Sequence, residues 1–185
     1  MEAIHAKVEE FIELGSLRKE DETVAILIGL MVKKASNNLK LARIVMRISD
    51  AKEVKEFLGL AEKDSFYDWV IITAYYAMYF AAQALLATKK VRIQRIRVHE
   101  ATLYAFAHYF IVNKQLEEEL FFLYEDAERK AEELFTALSE ERKKRGQFTY
   151  ERLPKANQPP AQESIKNASA FVSAIEGILK KRRHI

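Results

Sequence analysis

The stretch YDWVIITAYYAMYFAAQALLA, residues 67–87, decides the fold. It is apolar on nearly every face at helical period. Such a helix is either a membrane span or the enclosed centre of a bundle. Asp68 and Gln83 lie inside it, three tyrosines (Tyr75, Tyr76 and Tyr79) carry hydroxyls near its middle, and no second segment of the kind exists. Ala74, Ala77, Ala81 and Ala84 are small enough to let a neighbour come close. The expectation is the central, most buried helix of a bundle, with no membrane partner.

Working outward, the preceding segment from about 22 to 48 places Val24, Ile28, Met31, Ala35, Leu39, Ala42 and Met46 on one helical face. Before it, 2–14 reads as a short helix ended by Gly15, followed by a loop in which Asp21 is an N-cap candidate. Asp50 and Glu53 have capping-box spacing, which predicts a helical turn at 51–58 before Gly59. Beyond the central helix, a basic connection at 88–97 leads to a helix at 98–112 that ends near Asn113. A long helix then covers about 115–145, with Leu116, Leu120, Leu123, Ala127, Leu134 and Leu138 as its buried stripe. Its run LFFLY at 120–124 is apolar on more than one face, which suggests a second packing surface and a dimer interface through Phe121, Phe122 and Tyr124.

The last helix, about 162–181, carries Ile165, Ala168, Val172, Ile175 and Leu179 in register. Residues 146–161 form a loop holding all three prolines, longer than usual connections and stiffened by them. VRIQRIRV at 91–98 alternates with period two, but a lone short strand has no partner. The fold class is therefore all-α: an up-and-down bundle of four to five long helices in a single domain, 1–185, with a core of about 22–181 and an N-terminal extension, 1–21.

Composition agrees. Five glycines and three prolines in 185 residues are too few for an all-β chain. With no cysteine, disulfides, thiolate nucleophiles and cysteine zinc sites are excluded, which fits a cytoplasmic protein. The start, MEAIHAKVEEFIEL, lacks the basic and apolar regions of a secretory signal. His5, His99, His108 and His184 have no ligand spacing, so neither metal nor cofactor is expected.

Net charge is only +3, yet the basic residues are clustered at 89–99, 142–145 and 180–183. Clusters of this kind suit an anionic partner, although a charge run is also what a solvated face looks like. The second cluster opens RKKRGQFTYERLP, residues 142–154, where Arg142 and Arg145 precede Tyr150. Arg145 extends the helix's buried stripe, so it is either a ligand contact or a cation complementing the helix dipole. His99, beside three arginines, is a base or phosphate contact, or else a neutral structural histidine. Asp68 on an apolar helix needs a partner, and Arg142 or Arg145 could provide it.

The helix AYYAMYFAAQALL, the basic connection before His99, and a long helix ending in Arg145 with Tyr150 five positions on together resemble the HEPN (higher eukaryotes and prokaryotes nucleotide-binding) domain family. KKASNNLKLA at 33–42 resembles the family's first core helix, and the likeness covers about 30–180. The resemblance implies a homodimeric helical bundle, and in many prokaryotic members a toxin–antitoxin pairing with a small nucleotidyltransferase. Other members are metal-independent ribonucleases with Arg, four to six residues, then His. Here position 150 is Tyr, as in a branch of the family that reads Arg, four residues, Tyr. Tyrosine and arginine are poor bases at neutral pH, so the departure favours holding phosphate over cutting it. Arg142, Arg145, Tyr150, Arg95 and Arg97 are the candidate nucleotide- or RNA-phosphate contacts. Three readings stay open: a nucleotide- or RNA-binding regulator, a ribonuclease toxin in which Arg145, Tyr150 and His99 are the catalytic candidates, and a structural dimerisation module.

Overall fold

The computed structural model describes residues 2–114, 116–144 and 158–181, with backbone alone for 134–144. The chain is all-α. Four long helices make the bundle: α2 (Ile28–Asp50), α4 (Tyr67–Ala87), α6 (Glu118–Lys144) and α7 (Gln158–Lys181). Shorter helices α1 (Glu2–Glu13), α3 (Lys52–Leu58) and α5 (Val98–Phe106) surround them.

α4 lies in the middle, against α2, α5, α6 and α7. Fifteen of its 21 residues are buried, which is why its sequence is apolar all round. By length and composition it would also cross a membrane; here its apolar faces are taken up by the bundle. α2 runs antiparallel to it. The Lys34 ammonium lies over the Phe80 ring at 5.0 Å near one end, and near the other Ser49 Oγ accepts a 2.9 Å bond from the Phe66 amide. α6 and α7 are antiparallel as well: Tyr124 packs on Phe171, and Lys130 pairs with Glu163 at 2.8 Å.

The stripes expected on α2 and α7 face the core. Ala35, Leu39, Ala42 and Met46 are buried on the first, and Ala168, Val172, Ile175 and Leu179 on the second. The stripe of α6 is phased differently. Among its described side chains the buried ones are Tyr124, Glu128 and Ala131, while Leu120, Leu123 and Ala127 are only partly covered; the side chains of Leu134 and Leu138 lie outside those described.

Several local expectations are corrected. The helix foreseen from 22 starts as a 3-10 turn, Glu22–Leu27, still capped by the Asp21 side chain on the Thr23 amide. The Asp50 capping box does not form, because Asp50 ends α2 and accepts a hydrogen bond from the Tyr67 hydroxyl at 2.7 Å. The helix foreseen at 98–112 widens into a π-helix over Ala107–Val112. Pro159 and Pro160, placed in a loop by the sequence reading, sit in the first turn of α7, where missing amide donors cost nothing. VRIQRIRV does find a partner: β1 (Leu17–Arg18) pairs antiparallel with β2 (Arg92–Ile93). This clamps the N-terminal segment onto the connection between α4 and α5. Gly15, which ends α1 with φ +69°, makes that approach possible; a Cβ there would meet the Arg95 guanidinium at 3.2 Å.

Candidate functional site

The tyrosines of α4 and the start of α5 build the most distinctive polar cluster. Tyr75 and Tyr79 are one helical turn apart, so both rings leave α4 on the same side. His99 meets them as the second residue of α5. Its ring lies 4.6 Å from the Tyr79 ring and 5.6 Å from that of Tyr75. The Tyr75 hydroxyl and His99 Nδ1 are 2.7 Å apart. A phenol is the stronger acid of the two, so the hydroxyl donates and the neutral ring keeps its proton on Nε2. Burial lowers the pKa of His99 and raises those of Tyr75 and Tyr79, so all three are uncharged near neutrality. The Gln83 amide donates to the Tyr79 hydroxyl at 2.6 Å and fixes that ring in turn.

Arg97 sets the position of His99. It caps α5 in the left-handed conformation, φ 49°, which costs energy for a residue with a Cβ. The guanidinium is held by Glu10 at 2.6 Å and by both oxygens of Glu100 at 2.9 and 2.8 Å, and it lies 5.0 Å from the Phe11 ring centre. α1 thereby braces the turn that delivers His99.

His99, Tyr75 and Tyr76 open onto a cavity of about 270 Å³ closed by Ala131 and Glu132 of α6. A larger groove of about 670 Å³ adjoins it through Glu132, between α5 and α6. At its floor lies Glu128, 5% exposed, with neither carboxylate oxygen hydrogen-bonded among the described residues. Burial, and then the charges of Glu132, Glu100 and Glu125, raise its carboxyl to about 7. The hydroxyl of Tyr124 is likewise buried without a partner.

The sequence candidates are scattered. Arg145 and Tyr150 lie outside the described residues, as does the side chain of Arg142, so the Arg145–Tyr150 spacing and any pairing with Asp68 lie there too. Asp68 itself is half-buried in the first turn of α4, where a carboxylate complements the helix dipole. Much of the 89–97 basic run is neutralised within the chain. Lys90 pairs with Glu22 at 2.6 Å, Arg92 with Asp21 at 3.5 Å, and Arg97 with Glu10 and Glu100. Arg95 is exposed and makes no ion pair among the described residues.

Tyr124 is a correction. Expected at a dimer interface, it is 0% exposed and packs on Tyr75, Phe106 and Phe171 inside the fold. Phe121 is half-buried, and Phe122 is 58% exposed on the wall of the larger groove.

Tyr75 is a core residue whose hydroxyl is satisfied at the edge of the bundle, as a tyrosine on a central helix should be, while Glu128 and Glu132 are not singled out in the sequence reading. A signal for Glu128 was present, since it follows Tyr124 by four and precedes Ala131 by three. No three His, Asp or Glu side chains among the described residues are arranged to hold a metal ion.

No protein-family model matches the chain, and no solved structure matches it. It is 30% identical over 87 residues to a Methanocaldococcus jannaschii protein named "Putative toxin MJ0142", a match covering 42% of this chain and 57% of that protein. The chain thus spans little more than half the length of this curated relative, and the similarity is to a protein named as a toxin.

Proposed function

We propose that the chain is a HEPN-type protein with a toxin-related role that binds a nucleotide or RNA. In this reading the base or ribose enters the His99 cavity. The observation that carries it is that cavity, where a neutral histidine fixed by Tyr75 stands beside the face of Tyr76 and the carboxylate of Glu132. An aromatic face stacks on any base, the Nε2 proton is a donor, and Glu132 accepts from an exocyclic amine. The phosphates are left to cationic residues outside that cavity. Arg142, Arg145 and Tyr150, with Arg95, are the residues proposed to receive them. The similarity to a protein named as a toxin supports a place in a toxin–antitoxin-like pair, with homodimerisation and a nucleotidyltransferase partner in the cytoplasm as parts of the same proposal.

Titration with mononucleotides and short single-stranded RNA at low salt tests this. Saturable binding weakened by His99→Ala and by Arg145→Ala is expected. Absence of binding by both ligand classes overturns it.

One observation favours a second reading, metal-independent RNA cleavage: His99 and Glu132, two groups able to exchange protons, line one cavity. Incubating RNA with the protein in chelator separates the readings. Cleavage lost in His99→Ala supports the enzyme, and intact RNA with both proteins rejects it.

A further inference from the structure

The groove between α5 and α6 is chemically unlike the His99 cavity. Its walls are Leu103, Tyr104 and Phe122, and its charges are almost all negative. Some of those charges are already spent. Glu100 is held by Arg97, and Asp126 by Arg129 and Lys130. The one cation lining the groove among the described residues, Arg129, is itself bound to Asp126 and Glu133. Glu125, Glu128 and Glu132 make no ion pair among the described residues, and Glu128 has both oxygens buried without a hydrogen bond. A carboxylate in that state is costly unless a cation reaches it.

The three glutamates follow one another along the groove side of α6. Steps of three and four residues separate their backbone positions by about 4.5 and 6 Å along the helix axis. No metal site arises there among the described residues. The steps match the spacing of ammonium groups joined by three- and four-carbon chains. The apolar wall suits the methylenes between them, and the faces of Tyr104 and Phe122 attract cations.

We propose that this groove binds a linear aliphatic polyamine, its ammonium groups held by Glu125, Glu128 and Glu132 and its methylenes laid on Leu103, Tyr104 and Phe122. The ligand supplies the counter-charge and the hydrogen bonds that Glu128 lacks.

Calorimetric titration of the whole chain with spermidine tests the site, at low salt and above pH 7 so that Glu128 ionises. Saturable one-site binding is expected. Glu128→Gln and Glu132→Gln should each weaken it by about tenfold or more, the loss of one charged hydrogen bond, while Glu53→Gln on α3 leaves it unchanged. Glu132 is exposed, so its variant reports on binding even if Glu128→Gln perturbs folding. Equal affinity in all three variants overturns the proposal, as does displacement of spermidine by magnesium at matched charge. Binding of an oligolysine peptide in the absence of spermidine binding also overturns it, in favour of a protein partner.

Discussion

The Tyr75 hydroxyl stands 2.7 Å from His99 Nδ1, a bond that ties the most buried helix of the bundle to the first turn of α5. It converts a core tyrosine into the support of a pocket histidine. Tyr75→Phe keeps the ring packing and removes the bond. The expected cost is about 0.5–1.5 kcal/mol of stability, with more if the ring nitrogen is left unpaired. Nucleotide affinity should fall with it, because the imidazole is no longer held in one orientation. Chemical denaturation and the histidine resonances in NMR spectra check both effects.

Glu128 and His99 pull stability in opposite directions with pH. The Glu128 carboxyl is raised from 4.5 to about 7, so between those values the folded chain holds more protons than the unfolded one. Its contribution is complete below 4.5 and is lost as pH rises through 7. His99 is lowered below 6.5, so there the unfolded chain holds more protons, and stability rises with pH until 6.5 is passed. Glu128→Gln should therefore be more stable than wild type above pH 7 by about 1–3 kcal/mol. Urea midpoints measured across the pH range would show the two curves diverging as pH rises. Parallel curves would mean that Glu128 ionises freely in the folded chain.

Tyr124 separates core from surface within one helix turn. Truncation to Ala should cost about 3–5 kcal/mol, the penalty for deleting a buried aromatic. Tyr124→Phe should be neutral or slightly stabilising, since it removes a buried hydroxyl with no hydrogen-bond partner among the described residues. Phe122→Ser, at an exposed position, should change stability by less than about 0.5 kcal/mol. Thermal melts of the three variants would test this order.

Gly15→Ala meets two obstacles together, a left-handed backbone and the Arg95 guanidinium 3.2 Å from the new Cβ. A loss of about 1–2 kcal/mol is expected. Hydrogen exchange should show the Leu17–Ile93 pairing opening more readily while the bundle stays protected. Uniform loss of protection would mean that the clamp and the bundle unfold as one unit.

The bundle was legible because burial writes itself into long periodic segments. α4 is apolar on every face because it has neighbours on several sides, and α2 keeps one face because it has a core on one side only. α6 misled because LFFLY offers apolar residues in several phases, and tertiary packing selected Tyr124 over the leucines. The alternation of VRIQRIRV marks one side of the β1–β2 pairing, but its partner, Leu17–Arg18, is two residues long and leaves no period of its own. The Tyr75–His99 bond was illegible for a different cause: the two residues lie 24 positions apart, and nothing local in either segment registers the other. Glu128 sits among many glutamates, and although its spacing to Tyr124 and Ala131 places it on the buried face of α6, nothing in the local sequence shows that its carboxylate has no hydrogen-bond partner among the described residues.

The pairing of Leu17 with Ile93 also sets an order of events during synthesis. Leu17 leaves the ribosome before its partner and has no strand to pair with until Ile93 emerges, 76 residues later (93 minus 17). At about 5–20 residues per second that is a wait of roughly 4–15 s. Through that interval Val8 and Phe11, wholly enclosed in the finished fold, remain exposed. α1 therefore stays open to chaperones until α5 has emerged, and the brace on Arg97 closes only after α4 has been made.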